Sequence, residues 1–335
     1  MRIISFIISL YMMFNTVIGN NIAIAQTGYA NDCYKLSNPL KDGCDPWFYQ
    51  YDGKYYYCYG TGNGVGVRCA DTIEGLADAE HKQVYVAPQG TMYSNHYWAP
   101  ELHYIDGKWY IYVCASDDTN ENHRMYVLSC DTPSGEYEML GKLTDSTDCW
   151  AIDGTVCEIN GELYTIWSGW QGETDGEQEL YIAHMSDPAH IDSERTLISK
   201  PQFKWEKNGM ALNEAPEVLQ YNGETYIVYS ASGSWTDDYC LGMLKLCGKN
   251  PLKKSSWAKC PVPVFSKANG VLGVGHCSFV KSADSKYNYI VYHGMTESGA
   301  GWGGRKVMIQ RFEFINNYPV FGKPVAAGNN IEIAR

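Results

Sequence analysis

Several familiar catalytic signatures are missing from this chain. It contains no G-x-S-x-G elbow, no H-E-x-x-H pair and no EF-hand loop, which sets aside the chemistries those motifs carry. No two cysteines form a C-x-x-C pair, which argues against a zinc site. The twelve cysteines are even in number but dilute for 335 residues, unlike a disulfide framework. Cys58, Cys114 and Cys157 fall inside expected strands, where buried free thiols are common. One or two bridges remain compatible with an oxidising compartment. Beyond residue 25 no apolar run is long enough to span a bilayer. Positive charge is scarce, with 26 Lys and Arg against 38 Asp and Glu and a net charge of −12. That balance argues against nucleic acid or an anionic membrane surface as a partner. No linker, low-complexity run or second domain interrupts the sequence. The glycine-rich stretch 60–66 follows a strand without opening a helix, so it reads as a loop and not a phosphate cradle.

Residues 1–25 read as a secretory signal. Arg2 gives the positive end, residues 3–13 the apolar run, and Ala23-Ile24-Ala25 a small-residue cleavage site. The expected product, residues 26–335, is secreted or periplasmic. Loss of Arg2, with no acid in the segment, moves the net charge from −12 to −13.

One hairpin recurs through the rest. Its clearest copy starts at Asn213-Glu214-Ala215-Pro216-Glu217, turns at Asn222-Gly223 and returns through an aromatic, β-branched strand. Similar turns stand at Asp52-Gly53, Asp106-Gly107, Asn160-Gly161 and Asp284-Ser285, so successive turns are 54, 54, 62 and 62 residues apart. Tyr56, Tyr110, Tyr164 and Tyr226 each follow the turn glycine by three positions, and Tyr289 stands one position later in its unit. A long, regular period of this kind marks a repeat architecture. Five all-β units of this length predict a five-bladed β-propeller, each first strand facing a central channel. Residues 26–40 read as an irregular arm that helps close the ring. Most of the 27 Tyr and 10 Trp are then strand residues, with a minority left as sugar-stacking platforms.

Seven or eight residues before each turn stand Asp45, Trp98, Asp153, Glu214 and His276. A propeller gathers these entries at one channel mouth, whereas a solenoid would string them along an edge. Crowded, poorly solvated carboxylates raise one another's pKa. One can stay protonated while another stays ionised, which is what glycoside hydrolysis needs. Taken singly, each acid would satisfy backbone donors at a strand entry; three at matching entries point to chemistry. Glu101 and Glu217, five residues before their turns, read as structural. His276 reads either as a satisfied structural histidine or as one that reaches an ion or water in the channel. The loop 234–239, with Trp235, is a candidate rim of the site.

At these residues the sequence resembles glycoside hydrolase family 43 over nearly the whole chain beyond the signal. The markers are Cys44-Asp45-Pro46-Trp47, Trp98-Ala99-Pro100-Glu101, Ile152-Asp153-Gly154-Thr155, Asn213-Glu214-Ala215-Pro216-Glu217, Gly273-Val274-Gly275-His276 and Gly304-Arg305. The resemblance implies a five-bladed propeller and an inverting hydrolase of arabinose- or xylose-containing glycans. Asp45 resembles its general base, Glu214 its general acid and Asp153 the residue that orients the acid and modulates its pKa. Arg305 resembles a substrate-binding arginine and Trp98 an aromatic wall of the first sugar pocket. His276 resembles the channel histidine, which in some members sits beside a bound calcium ion, so a structural Ca2+ joins the expectations although the chemistry requires no cofactor. Two departures stand out: Glu-Ala-Pro for the frequent Glu-Gly-Pro, and Gly-Val-Gly-His-Cys for the frequent Gly-Pro-Gly-His-Asn. The run from Asn213 into Tyr-Ser-Ala-Ser-Gly-Ser-Trp-Thr is most similar to exo-acting α-L-arabinofuranosidases. A β-xylosidase or an endo-arabinanase would use the same scaffold. A non-catalytic sugar-binding propeller would tolerate loss of the acids.

Overall fold

A computed structural model describes residues 23–28 and 32–334. Most of the expected signal therefore lies outside the described residues. The chain is a five-bladed β-propeller of antiparallel sheets. Blade one comprises Trp47–Tyr51, Lys54–Gly60, Gly64–Ala70 and Lys82–Val86; blade two comprises Asn95–Ile105, Lys108–Ser116, Arg124–Cys130 and Glu138–Leu143. Blade three is built on Ala151–Ile159, Glu162–Gly169 and Glu179–Asp187, and blade four on Asn213–Tyr221, Glu224–Ala231, Cys240–Leu246 and Trp257–Lys259. Blade five has Leu272–Lys281, Asn288–Met295 and Lys306–Ile315.

Strand chemistry explains the ring. In each second strand, neighbouring side chains point to opposite faces, and both faces are covered by a neighbouring blade. Tyr55 and Tyr57 pack towards blade five, whereas Tyr56 and Cys58 pack towards blade two. Ile111 and Val113 face blade one, and Tyr112 and Cys114 face blade three. The same alternation divides Tyr226 and Val228 from Ile227 and Tyr229. These strands read as continuous apolar runs because neither face meets water. The buried apolar residues form five clusters, one at each blade interface.

The ring is closed by the N-terminal arm. Lys41–Asp42 adds to the outside of blade five against Lys306 and Val307. Cys33–Ser37 pairs antiparallel with Asn330–Ala334, and Gln26 bonds the backbone of Arg311 at both ends of its side-chain amide. The arm expected to be irregular, residues 26–40, thus contains the strand Cys33–Ser37. All twelve cysteines are unpaired.

Candidate active site

A backbone bend recurs at a matching position in or just before each first strand. Asp45, Ala99, Asp153, Ala215 and His276 all adopt the left-handed conformation, with φ between 44° and 52°. In blades two to five the bend is a β-bulge. Ala99 and Pro100 stand opposite Val113 alone, Asp153 and Gly154 opposite Trp167, Ala215 and Pro216 opposite Tyr229, and His276 and Cys277 opposite Tyr292. A bulge leaves an amide outside the ladder, where proline costs no hydrogen bond. That accounts for Pro100 and Pro216 just after the bend.

The register differs by one residue from the sequence alignment of the entries. Ala99 and Ala215, not Trp98 and Glu214, are the equivalents of Asp45, Asp153 and His276. A left-handed non-glycine residue costs roughly 1–2 kcal/mol, so something must hold it. Side chains from neighbouring blades do so at two of the five positions. Ala215 N–H donates to Asp153 Oδ2 at 3.2 Å, and His276 N–H donates to Ser230 Oγ at 2.8 Å.

The bends converge on one cavity of about 850 Å3. Asp45, Asp153, Glu214, Trp98, Trp235, His276 and Arg305, every site residue expected from the sequence, line it. Asp45 Oδ1 receives three partners: His276 Nδ1 at 3.1 Å, His293 Nδ1 at 3.2 Å and Arg305 Nη1 at 3.3 Å. Burial pushes the Asp45 carboxyl up, but the His276 and Arg305 charges and the two histidine bonds outweigh it and hold the group well below the usual carboxylate range. Burial and the charge of Asp153 push Glu214 up to about 8, against the hydrogen bond from Tyr239. Asp153 itself is raised by burial, to about 6, with His276 opposing. For His276, burial favours the neutral ring, yet Asp45 and Asp153 raise it to about 9. The site thus holds an anchored carboxylate, an imidazolium and a protonated acid.

Aromatic side chains wall the cavity. Trp98 stacks on buried His123 at 4.1 Å between ring centroids, and Trp150 stacks on Trp170 at 4.4 Å. Trp235 meets Trp302 edge-on at 5.3 Å. Trp302, on a short turn before Arg305, was not anticipated from the sequence.

The model of "Glycosyl hydrolases family 43" matches residues 36–319. The chain belongs to glycosyl hydrolases family 43. It is 33% identical over 320 residues to a Streptomyces avermitilis protein named "Extracellular exo-alpha-(1->5)-L-arabinofuranosidase", covering 90% of this chain and 66% of that one. It is 31% identical to a Streptomyces chartreusis protein of the same name, covering 76% and 81%. The solved α-L-arabinofuranosidase of Lactobacillus brevis superposes with a TM-score of 0.82 at 33% identity, covering 88% of this chain and 98% of that one. The chain spans just under two thirds of the Streptomyces avermitilis protein and 54% of a Humicola insolens relative named "Alpha-L-arabinofuranosidase 43".

Two features of this family 43 chain were not foreseen. His293 and Tyr239 lie behind the carboxylates, both fully buried and stacked in parallel at 5.4 Å. His293 is the one imidazole in an otherwise apolar strand, a faint signal; Tyr239 had been placed on the rim. One step down the channel, Glu101 and Glu217 are buried. Glu101 meets His103 at 2.9 Å, and burial raises both carboxyls well above the usual range.

The donor set does not fit a calcium cage. Ca2+ takes six to eight oxygens, whereas His276 offers a nitrogen ring that is charged and turned to Asp45. Among the described residues no group of three or more His, Cys, Asp or Glu is arranged to hold a metal.

Proposed function

We propose that the chain is a secreted, inverting glycoside hydrolase that removes α-L-arabinofuranosyl residues from arabinan or arabinoxylan-type polysaccharides. The observation that carries this reading is the asymmetry of the carboxylates in one cavity: Asp45 is held ionised by three partners on Oδ1, and Glu214 is held protonated. Inverting glycosidases need that pair, one carboxylate to activate water and one acid to protonate the leaving oxygen.

With Oδ1 occupied, Oδ2 of Asp45 is the oxygen that takes a proton from water. The water oxygen bonds to the anomeric carbon, and the bond from that carbon to the glycosidic oxygen breaks. Glu214 gives its proton to that oxygen. Asp153 keeps the acid in place through Ala215 N–H and raises its pKa by like charge. Arg305 anchors the base and faces the sugar, and Trp98 and Trp235 supply apolar faces to it. Every step uses water and protein groups. Dialysis against a chelator is expected to leave kcat unchanged; a loss restored by calcium would place an ion in the channel beside His276.

Arabinose as the glycone is supported by the relatives' names, and export by the word "Extracellular" in two of them together with the signal read in residues 1–25. Edman sequencing of exported protein is expected to start at Gln26. Hydrolysis of an aryl α-L-arabinofuranoside, an aryl β-D-xyloside and linear arabinan tests the substrate. Preference for the arabinofuranoside, with single arabinose released from arabinan, supports the reading. Preference for the xyloside, or release of oligomers, would keep the carboxylate roles and replace the substrate or the mode of attack.

A further inference from the structure

Tyr239 was expected on the cavity rim, yet its side chain is fully buried. Its hydroxyl donates to Glu214 Oε1 at 2.7 Å. The ring has no freedom to move away. It stacks on His293 at an interplanar angle of 7°, and a methyl group added at Gly275 would come within 2.2 Å of its Cε1. The Ser230 hydroxyl bonds the tyrosine oxygen as well, while Ser230 Oγ accepts from His276 N–H at 2.8 Å. A hydrogen-bonded path therefore runs from Glu214 through Tyr239, Ser230 and His276 to Asp45.

The direction of the bonds along that path has a chemical consequence. Serine and tyrosine hydroxyls each own one hydrogen. Ser230 accepts from the His276 amide and gives its hydrogen to Tyr239. Tyr239 then has its own hydrogen for Glu214 Oε1. A carboxyl oxygen that accepts a strong hydrogen bond is the carbonyl-like one, so the acid hydrogen sits on the other.

We propose that Tyr239 is a positioning residue for the acid: its hydroxyl fixes Oε1 as the acceptor and so places the transferable proton on Glu214 Oε2. The inference rests on the reading of Glu214 as the acid. In the transfer the Oε2–H bond breaks, the proton joins the glycosidic oxygen, and that oxygen keeps the electron pair of its broken bond to the sugar. The carboxylate left behind is still held by Tyr239. Glu214 is also faced by Asp153 from blade three, by His276 from blade five, and by Asp45 and Arg305 beyond them. These groups stay when the hydroxyl alone is removed.

Tyr239→Phe keeps the stacked ring and deletes the bond. Turnover of arabino-oligosaccharides, whose leaving alcohol needs the proton, is expected to fall about tenfold, the scale of one hydrogen bond. Turnover of a nitrophenyl arabinofuranoside, whose leaving group needs little help, is expected to stay within about threefold. The alkaline limb of kcat/KM should move to higher pH, because the bond favours the ionised acid. Equal loss on both substrates with an unmoved limb would overturn the proposal and leave Tyr239 as packing. Ser230→Ala should give the same pattern more weakly, and it serves if Tyr239→Phe does not fold. One further readout needs no substrate. The infrared carboxyl band that disappears in Glu214→Gln should titrate at higher pH in Tyr239→Phe. A wild type inactive on every furanoside would sink the substrate reading, while this titration would still decide the role of Tyr239.

Discussion

Blades two and four make the most instructive comparison in the molecule. Both first strands carry x-Ala-Pro-Glu, with a left-handed alanine, a proline in the bulge and a buried glutamate beyond it. Trp98 in blade two occupies the place of Glu214 in blade four. The ladder partner also changes: Trp98 stands across from Cys114, and Glu214 across from Ser230. One backbone device thus serves an aromatic wall in one blade and an acid in the other. The bulge decides where a side chain meets the cavity, and the neighbours decide what it does there. Trp98 is flanked by His96 and His123, whereas Glu214 is flanked by Asp153 and Tyr239. In the glutamates one step lower, burial is again the first cause of the raised carboxyls. Glu217 shares the strand and the raised pKa of Glu214 but does not line the cavity.

The comparison can be broken by swapping function between neighbours on one strand. Glu214→Gln is expected to lower kcat on arabino-oligosaccharides by about 10²–10⁴-fold, the usual worth of a general acid. Glu217→Gln should leave kcat within about threefold, because the residue transfers no proton. Steady-state kinetics on one oligosaccharide decides both, and equal losses would refute the division between the two glutamates. In blade two, Trp98→Ala should raise KM about tenfold with a smaller change in kcat, since the aromatic face binds sugar without taking part in proton transfer.

Asp153 gives a subtler test, because blade four's bulge amide rests on a charge. Asp153→Asn keeps an acceptor for Ala215 N–H and removes the charge. On the proposed mechanism, activity requires Asp45 ionised and Glu214 protonated. In the wild type kcat/KM therefore holds through the acidic range, where Asp45 is still ionised, and falls as pH rises through about 8, where Glu214 loses its proton. Losing the like charge of Asp153 should move that alkaline limb to lower pH, the opposite direction to Tyr239→Phe. The smallest effect expected is at Ala99. Replacement by glycine relieves the left-handed strain but loosens the unfolded chain, for a net gain of about 0.5 kcal/mol. Thermal unfolding of Ala99→Gly should show a rise of about 1 °C.

Much of this was legible in the sequence because it is local. Asp52, Asp106, Asn160 and Asn222 are the left-handed turn residues that Asp-Gly and Asn-Gly predict, and their spacing gives the blade count. The three carboxylates stand out as acids at entries of a repeat. The bulge register was harder to see. Counting from the turn to the chemically notable residue admits a slip of one, and Trp98 and Glu214 are more conspicuous than Ala99 and Ala215. A strict count of seven before the turn residue marks Asp45, Ala99, Asp153 and Ala215. Blade five breaks the count, because its longer turn puts His276 nine before Ser285. His293 gave only a faint signal, since its contact with Asp45 joins residues 248 apart. Tyr239 was misplaced because polar neighbours disguised a buried ring. The arm's strand Cys33–Ser37 depends on a partner at the other end of the chain, and no local pattern announces it.

The division of labour between Asp45 and Glu214 is tested most directly by the first product. Proton NMR during the opening turnovers on an aryl α-L-arabinofuranoside reads the anomer before it equilibrates. Water activated by Asp45 and delivered opposite the leaving group predicts β-L-arabinofuranose as the first species, with no signal above background in Asp45→Asn. First appearance of the α-anomer would mean that a carboxylate attacks the sugar itself, and it would contradict the role assigned to Asp45.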